Sequence, residues 1–145
     1  MKFTIAPHHL KTLHHHLEAA YPQESCGLML GTLENTTFQI HQIIPTTNVW
    51  NHPEDTDRSL RDRYEIDPRE MLAAMKTARL NNLEIVGIYH SHPDHPASPS
   101  ECDRTLAWSE YIYVICRVDS SSVSATTAWQ LDDRQQFQSV YITVE

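Results

Sequence analysis

Residues Glu84–Tyr89 read EIVGIY, a near-continuous apolar run lying between two marked helix starts. A run without polar alternation is a strand buried on both faces. Upstream, Asp67 occupies an N-cap position with Pro68 at N1 and Glu70 at N3, a variant of the capping box. Met71, Leu72, Met75, Ala78 and Leu80 give the helix that follows an apolar side, and Asn81 and Asn82 end it. Downstream, Ser98, Pro99 and Glu101 spell S-x-x-E, which predicts an N-cap at Ser98 and a helix running to about Trp108. A strand buried on both faces needs helices or sheet against it, so a mixed sheet with helices packed on it is expected.

The rest of the chain agrees with an α+β, mixed α/β reading. Lys2–Ile5 alternates as a short strand, and Pro7 opens a helix whose Leu10, Leu13, Leu17 and Ala20 recur at helical spacing until Pro22. His8, His9, His14, His15 and His16 mostly lie off that stripe and read as a solvated face, because no carboxylate or cysteine is patterned with them. Glu24–Gly31 is a buried strand and Phe38–Pro45 a half-buried one, with Asn35 and Thr36 at the turn between them. Val49–Arg63 is polar and without period, a surface loop expected to face a substrate. Tyr111–Val118, Ser122–Leu131 and Phe137–Val144 are three further strands, the last two antiparallel. No strict βαβ repeat appears, and 145 residues are taken as one domain, 1–145.

Composition excludes several classes. The formal net charge of -8 is a poor match to phosphate backbones, so nucleic acid is not expected as a partner. No stretch approaches the ~20 apolar residues of a membrane span, and the first residues lack the apolar core of a secretory signal. The 3 cysteines, Cys26, Cys102 and Cys116, are widely spaced and form no CxxC pair. They read as packed small thiols in a reducing, cytoplasmic compartment.

The buried strand delivers His90 and His92 at its end, within YHSHPDHPASPSECD (Tyr89–Asp103). Residues i and i+2 of a strand share a face and stand ~6.6 Å apart, so both imidazoles can reach one ion. Ser100 and Asp103, at i and i+3 of the following helix, share a side at ~5–6 Å between Cβ atoms. Two imidazoles and a carboxylate with one open position is the donor set of a catalytic rather than a structural zinc site. His90, His92, Asp94 and His95 also spell HxHxDH, as in metallo-β-lactamase-type hydrolases. That reading is rejected: such a site draws further histidines from far downstream, and none of the 10 histidines here follows residue 95. Asp94 and His95 then become loop residues lining the mouth of the site. Two histidines and a carboxylate also serve non-haem iron oxygenases. The two capped helices and only 3 glycines fit that alternative less well.

With Glu24 upstream, then His90-x-His92, seven residues, Ser100, two residues and Asp103, the chain resembles the JAMM, or MPN-plus, metalloprotease family. ESCGLMLG, EIDPREMLAAMKTA, EIVGIYHSHPDHPASPSECD and YIYVIC are similar to its stand-alone bacterial members. The resemblance implies a curled mixed sheet flanked by helices, cytidine-deaminase-like in outline. It implies one Zn²⁺ on His90, His92 and Asp103, Glu24 as general base and then acid, and Ser100 as stabiliser of the tetrahedral intermediate. It also implies hydrolysis after the Gly-Gly tail of a ubiquitin-like or sulfur-carrier protein. Silent relatives that act as scaffolds typically lose these residues. Gly27 and Gly87 are positions where backbone or substrate approaches closely, or ordinary strand packing. Trp50 is placed over a substrate tail and Trp108 in the core.

Overall fold

A computed structural model describes residues 1–145. The elements are β1 (Lys2–Ile5), α1 (Pro7–Ala20), β2 (Cys26–Glu34), β3 (Thr37–Pro45), α2 (Pro68–Leu80), β4 (Glu84–Pro93), α3 (Glu101–Leu106), β5 (Ile112–Asp119), β6 (Ser122–Leu131) and β7 (Phe137–Val144). The architecture is mixed α/β, as expected, and the sheet curls until it closes. Strands hydrogen-bond in the order β1-β3-β2-β4-β5-β6-β7, with β1 parallel to both β3 and β7. Asn35, in the left-handed region with φ 57, turns β2 into β3.

The apolar run lies in β4, antiparallel to β2 on one side and parallel to β5 on the other. It continues beyond Tyr89 through both histidines to Pro93, buried from Val86 onward. One face of the sheet carries Met29, Tyr89, Val114 and Cys116 and receives Leu13 and Leu17 of α1. Each of these two leucines is fully buried and stabilises the docking of α1 by ~1.5–3 kcal/mol. The opposite face carries Leu28, Ile88 and Tyr113 and receives Ala74 of α2.

Two glycines let the strands meet their neighbours. A Cβ on Gly27 would stand 2.2 Å from the Tyr89 ring, and one on Gly87 would stand 2.2 Å from the Ile112 carbonyl oxygen. Both are therefore places of close approach.

Several local expectations are corrected. In α2 the residues turned to the sheet are Ala74 and Ala78, while Leu72, Met75 and Leu80 are exposed. Residues 71, 74 and 78 form one stripe at helical spacing, and 72 and 75 belong to its neighbour. The helix expected from Ser98 to Trp108 is shorter, and its N-cap is Ser100. Ser100 Oγ accepts from the Asp103 N–H at 3.0 Å, and Asp103 Oδ2 accepts from the Ser100 N–H at 2.9 Å. This reciprocal pair satisfies two of the N–H groups that the first turn of a helix starting at Ser100 leaves without partners. Because α3 ends at Leu106, Trp108 falls in the following turn and is 62% exposed, not core.

The histidine face of α1 is not wholly solvated. His14 Nε2 pairs with Thr126 Oγ1 at 2.9 Å, and His16 pairs with Tyr89 OH at 2.7 Å and Ser25 Oγ at 3.1 Å. His16 follows Leu13 by one helical turn and so shares its approach to the sheet. No helix of the chain is long and apolar enough to cross a membrane.

Candidate metal centre

Strand alternation sorts the end of β4. Ile88, His90 and His92 turn toward the α2 side, and Tyr89 and Ser91 toward α1. Cys26 is the register partner of His90, so Glu24, two residues earlier, arrives beside the histidines. A pair of bonds locks this end of the sheet. The Ser25 N–H donates to Ser91 Oγ at 2.9 Å, and the Ser91 N–H donates to the Ser25 carbonyl at 3.0 Å. After β4, Asp94 takes a left-handed conformation, φ 58, and reverses the chain. Thr127 Oγ1 anchors the reversed segment by donating to the Ala97 carbonyl at 2.6 Å. The capping box then fixes Asp103 over the histidines.

The result is a compact donor set. One ligand atom from each of His90, His92 and Asp103 lies within 4.8 Å of the others. His92 Nε2 stands 3.1 Å from Asp103 Oδ2, His90 Nε2 stands 3.6 Å from Asp103 Oδ1, and His90 Nδ1 stands 3.7 Å from Glu24 Oε1. Glu24 and both histidines are buried. Glu24 and Ser100 line the same cleft as Asp103, a cavity of about 550 Å³.

Two observations test whether these residues fit a cation. Both ring nitrogens of His90 are buried without any hydrogen-bond partner. Such groups are costly to bury unless something fills their place. His92 Nδ1 donates to the Pro96 carbonyl at 2.8 Å and Nε2 stands 3.1 Å from Asp103 Oδ2, a separation that a proton or a metal ion on Nε2 accounts for. A backbone carbonyl fixing the other nitrogen is the usual support of a metal-ligating histidine. The site therefore fits a metal ion.

The electrostatics follow the same arrangement. Burial opposes the charge on Asp103, but His90, His92 and the Ser100 N–H outweigh it and hold the carboxyl well below the usual carboxylate range. Burial alone would lower His92, yet Asp103 and the Pro96 carbonyl raise it. Cys26 and Cys116 are buried thiols pushed up to about 12, in keeping with packed rather than reactive groups. Cys102 lines the cleft.

The segment between β3 and α2 forms one wall of the cleft, with Trp50, His52, Asp62 and Tyr64 among its lining. Part of the expected loop, Val49–Arg63, therefore faces the cleft. Trp108, the expected core residue, lines the cleft as well. Asp94 and His95 are not among the lining residues. The Asp94 carboxylate instead accepts from Tyr21 OH at 2.7 Å, which ties the reversed segment to the end of α1. Sequence reasoning missed Tyr64, whose ring stacks on His90 with centroids 4.4 Å apart and planes 24° apart. It also missed Asn48, which bonds the carbonyl of Glu24. The only sequence signal for Tyr64 is an aromatic residue closing a polar stretch just before the α2 cap.

Fold and site together define a chain that mounts two histidines and one carboxylate on a buried strand and the helix after it. The family described as prokaryotic homologs of the JAB domain matches residues 6–132, and the chain belongs to that family. A desampylase of Haloferax volcanii is 34% identical over 99 residues, covering 68% of this chain and 65% of its own length. A probable TtuB-protein conjugate cleaving protease of Thermus thermophilus is 36% identical over 104 residues, covering 72% of this chain and 62% of its own. The match thus spans less than two thirds of the length of these two relatives. The solution structure of a protein from Desulfitobacterium hafniense has the same fold, with a TM-score of 0.83 at 24% identity over 99% of this chain and 92% of its own.

Proposed function

We propose that the chain is a zinc-dependent hydrolase that cuts the peptide or isopeptide bond after the C-terminal Gly-Gly tail of a ubiquitin-like or sulfur-carrier protein. The carrying observation is the clustered donor set of His90, His92 and Asp103, with Glu24 and Ser100 lining the same cleft. The names of the two relatives, a desampylase and a conjugate-cleaving protease, support the substrate class.

His90, His92 and Asp103 would hold the ion, a donor set that suits Zn²⁺. When bound, Zn²⁺ supplies Lewis acidity and a nucleophile at neutral pH. Glu24 takes the proton of the attacking water and returns it to the leaving amine. The Ser100 hydroxyl already accepts the Asp103 N–H, so its own proton is left to donate to the oxygen on which negative charge develops. Trp50 and Trp108 both line the cleft and offer apolar surface to the tail.

The test is to load purified protein with zinc and incubate it with linear and isopeptide-linked fusions of Gly-Gly-tailed carriers, including a carrier–cysteine adduct. Cleavage directly after the second glycine, abolished by a chelator and restored by zinc, is expected. A panel left uncut by zinc-loaded protein would sink the substrate assignment. Protein that takes up no zinc at all would point instead to a silent scaffold of the same family.

A further inference from the structure

We propose that Asn48 is a positioning residue that sets Glu24 and the Tyr64–His90 stack in register with each other. The inference rests on the catalytic reading of Glu24 above. Asn48 uses every hydrogen bond its amide can make. Nδ2 donates to the Glu24 carbonyl at 3.0 Å and to the Arg63 carbonyl at 2.9 Å, while Oδ1 accepts from the Trp50 and Glu65 N–H groups, each at 3.1 Å. A side-chain amide has two donors and an oxygen with two lone pairs, so nothing is left over.

The partners decide what this does. Arg63 and Glu65 flank Tyr64, so two bonds from one side chain fix the backbone on both sides of the ring that stacks on His90. The bond to the Glu24 carbonyl fixes the peptide that carries the general base. The Glu24 N–H donates to the Leu60 carbonyl at 2.7 Å, so both backbone polar groups of Glu24 are bonded to the same wall of the cleft. The Val49 N–H donating to Glu65 at 2.9 Å and the bridge between Asn48 and Ile66 hold the base of that wall. A loop of this length carries no periodic pattern to define it. Here one amide, with the Glu24–Leu60 bond beside it, registers the loop against Glu24, and the base and one metal-ligand ring move or stay together. Base and ligand must hold their geometry to well under an ångström for proton transfer to be efficient.

Two variants test this with three readouts. Asn48→Ala removes all four bonds. Asn48→Asp keeps the acceptors for Trp50 and Glu65 and loses both donors, and it serves should the alanine variant fail to fold. In either, kcat is expected to fall about tenfold or more with KM changed much less, since misplacement of about 1 Å costs on the order of a hundredfold. Amide exchange at Glu24 should accelerate while the amides of β4 keep their protection. The visible spectrum of the cobalt-substituted protein should shift, because the His90 ring loses its fixed backing. Tyr64→Phe, which keeps the ring, should retain the wild-type cobalt spectrum, and Tyr64→Leu should not. Unchanged Glu24 exchange together with an unchanged cobalt spectrum in the Asn48 variants would overturn the proposal. Should zinc-loaded wild type cut no substrate, the functional reading fails separately, and exchange and spectrum still decide the role of Asn48.

Discussion

The two faces of β4 bury polar side chains within one residue of each other and treat them in opposite ways. On the α1 face, Tyr89 OH reaches His16, His16 reaches Ser25, and Ser91 Oγ accepts the Ser25 N–H, so the buried polar groups meet partners within the protein. On the other face, His90 offers two ring nitrogens and neither meets a hydrogen-bond partner. Tyr89, His90 and Ser91 are consecutive on one strand and equally buried. The polar groups around Tyr89 are therefore complete in the polypeptide alone, whereas the ring of His90 is not, although its neighbour His92 is bonded at both nitrogens. The contrast gives a way to tell a structural from a functional buried histidine: count what the protein itself has supplied.

The largest effect expected from breaking the contrast is on turnover. Glu24→Gln keeps the side-chain size and leaves the three donors in place, so zinc stoichiometry should stay at one per chain. Cleavage of a carrier fusion should fall by ~10²–10⁴-fold, the range of a lost general base. Retained zinc with lost cleavage, read by metal analysis and single-turnover kinetics, separates the proton-transfer role from metal binding. Unimpaired cleavage would remove Glu24 from the mechanism.

Stability sharpens the same contrast from both sides. In metal-free protein, His90→Leu removes two buried unpaired nitrogens at similar volume, so the free energy of unfolding should hold or rise by about 1 kcal/mol. His16→Leu leaves Ser25 Oγ and Tyr89 OH without their shared partner and should cost ~1–3 kcal/mol. Saturating zinc should close the gap between the two, because only the His90 variant forfeits the ion's contribution, ~2.7 kcal/mol at a free concentration of 100 Kd. Urea unfolding with chelator and then with zinc reads all four values. A costly His90→Leu in the metal-free state would contradict the idea that its ring is incomplete in the polypeptide alone.

How much of this was visible in the sequence depended on how local the chemistry is. The apolar run, the HxH at its end and the carboxylate at a fixed distance are spelled in consecutive residues, so the donor set and its strand could be read directly. The start of α3 could not, because SPSECD satisfies the capping pattern twice, from Ser98 to Glu101 and from Ser100 to Asp103. Tertiary structure chose the second, where one carboxylate both closes the box and faces His90 and His92. Ser100→Ala should accordingly cost ~1 kcal/mol of stability beyond any effect on turnover, with Ser98→Ala near neutral, by thermal unfolding. Asn48 and Tyr64 were invisible for a different reason. Their partners lie 24 residues away at Glu24 and 26 away at His90, and nothing periodic or capped in the polar loop marks either. Trp108 was misread because a large aromatic at the end of a helix is ordinarily core, whereas here the helix ends two residues early and leaves it on the cleft.

The smallest expected effect is a pH dependence that comes from the closed face. Burial lowers the pKa of His16, outweighing the Thr46 carbonyl and Glu70, which would raise it. Burial also lowers His14, against the opposing charge of Glu18 and with the help of His15. A folded-state pKa below the unfolded value of ~6.5 means that above this pH both states are neutral and the contribution to stability is complete. As pH falls below ~6.5 the unfolded chain takes up protons that the folded one resists, so stability declines until the folded histidines titrate in turn. His92, raised by Asp103 and Pro96, acts with the opposite sign in metal-free protein, since its contribution is present at low pH and lost as pH rises through its folded value. The wild-type curve therefore mixes the two faces, and only a difference separates them. Urea unfolding of metal-free wild type and a His14→Gln/His16→Gln variant between pH 8 and pH 5 should give a shallower acid-side loss in the variant. Parallel curves would mean that the half-buried ring of His16 is protonated without leaving its place between Ser25 and Tyr89, and that the closed face is less closed than its hydrogen bonds imply.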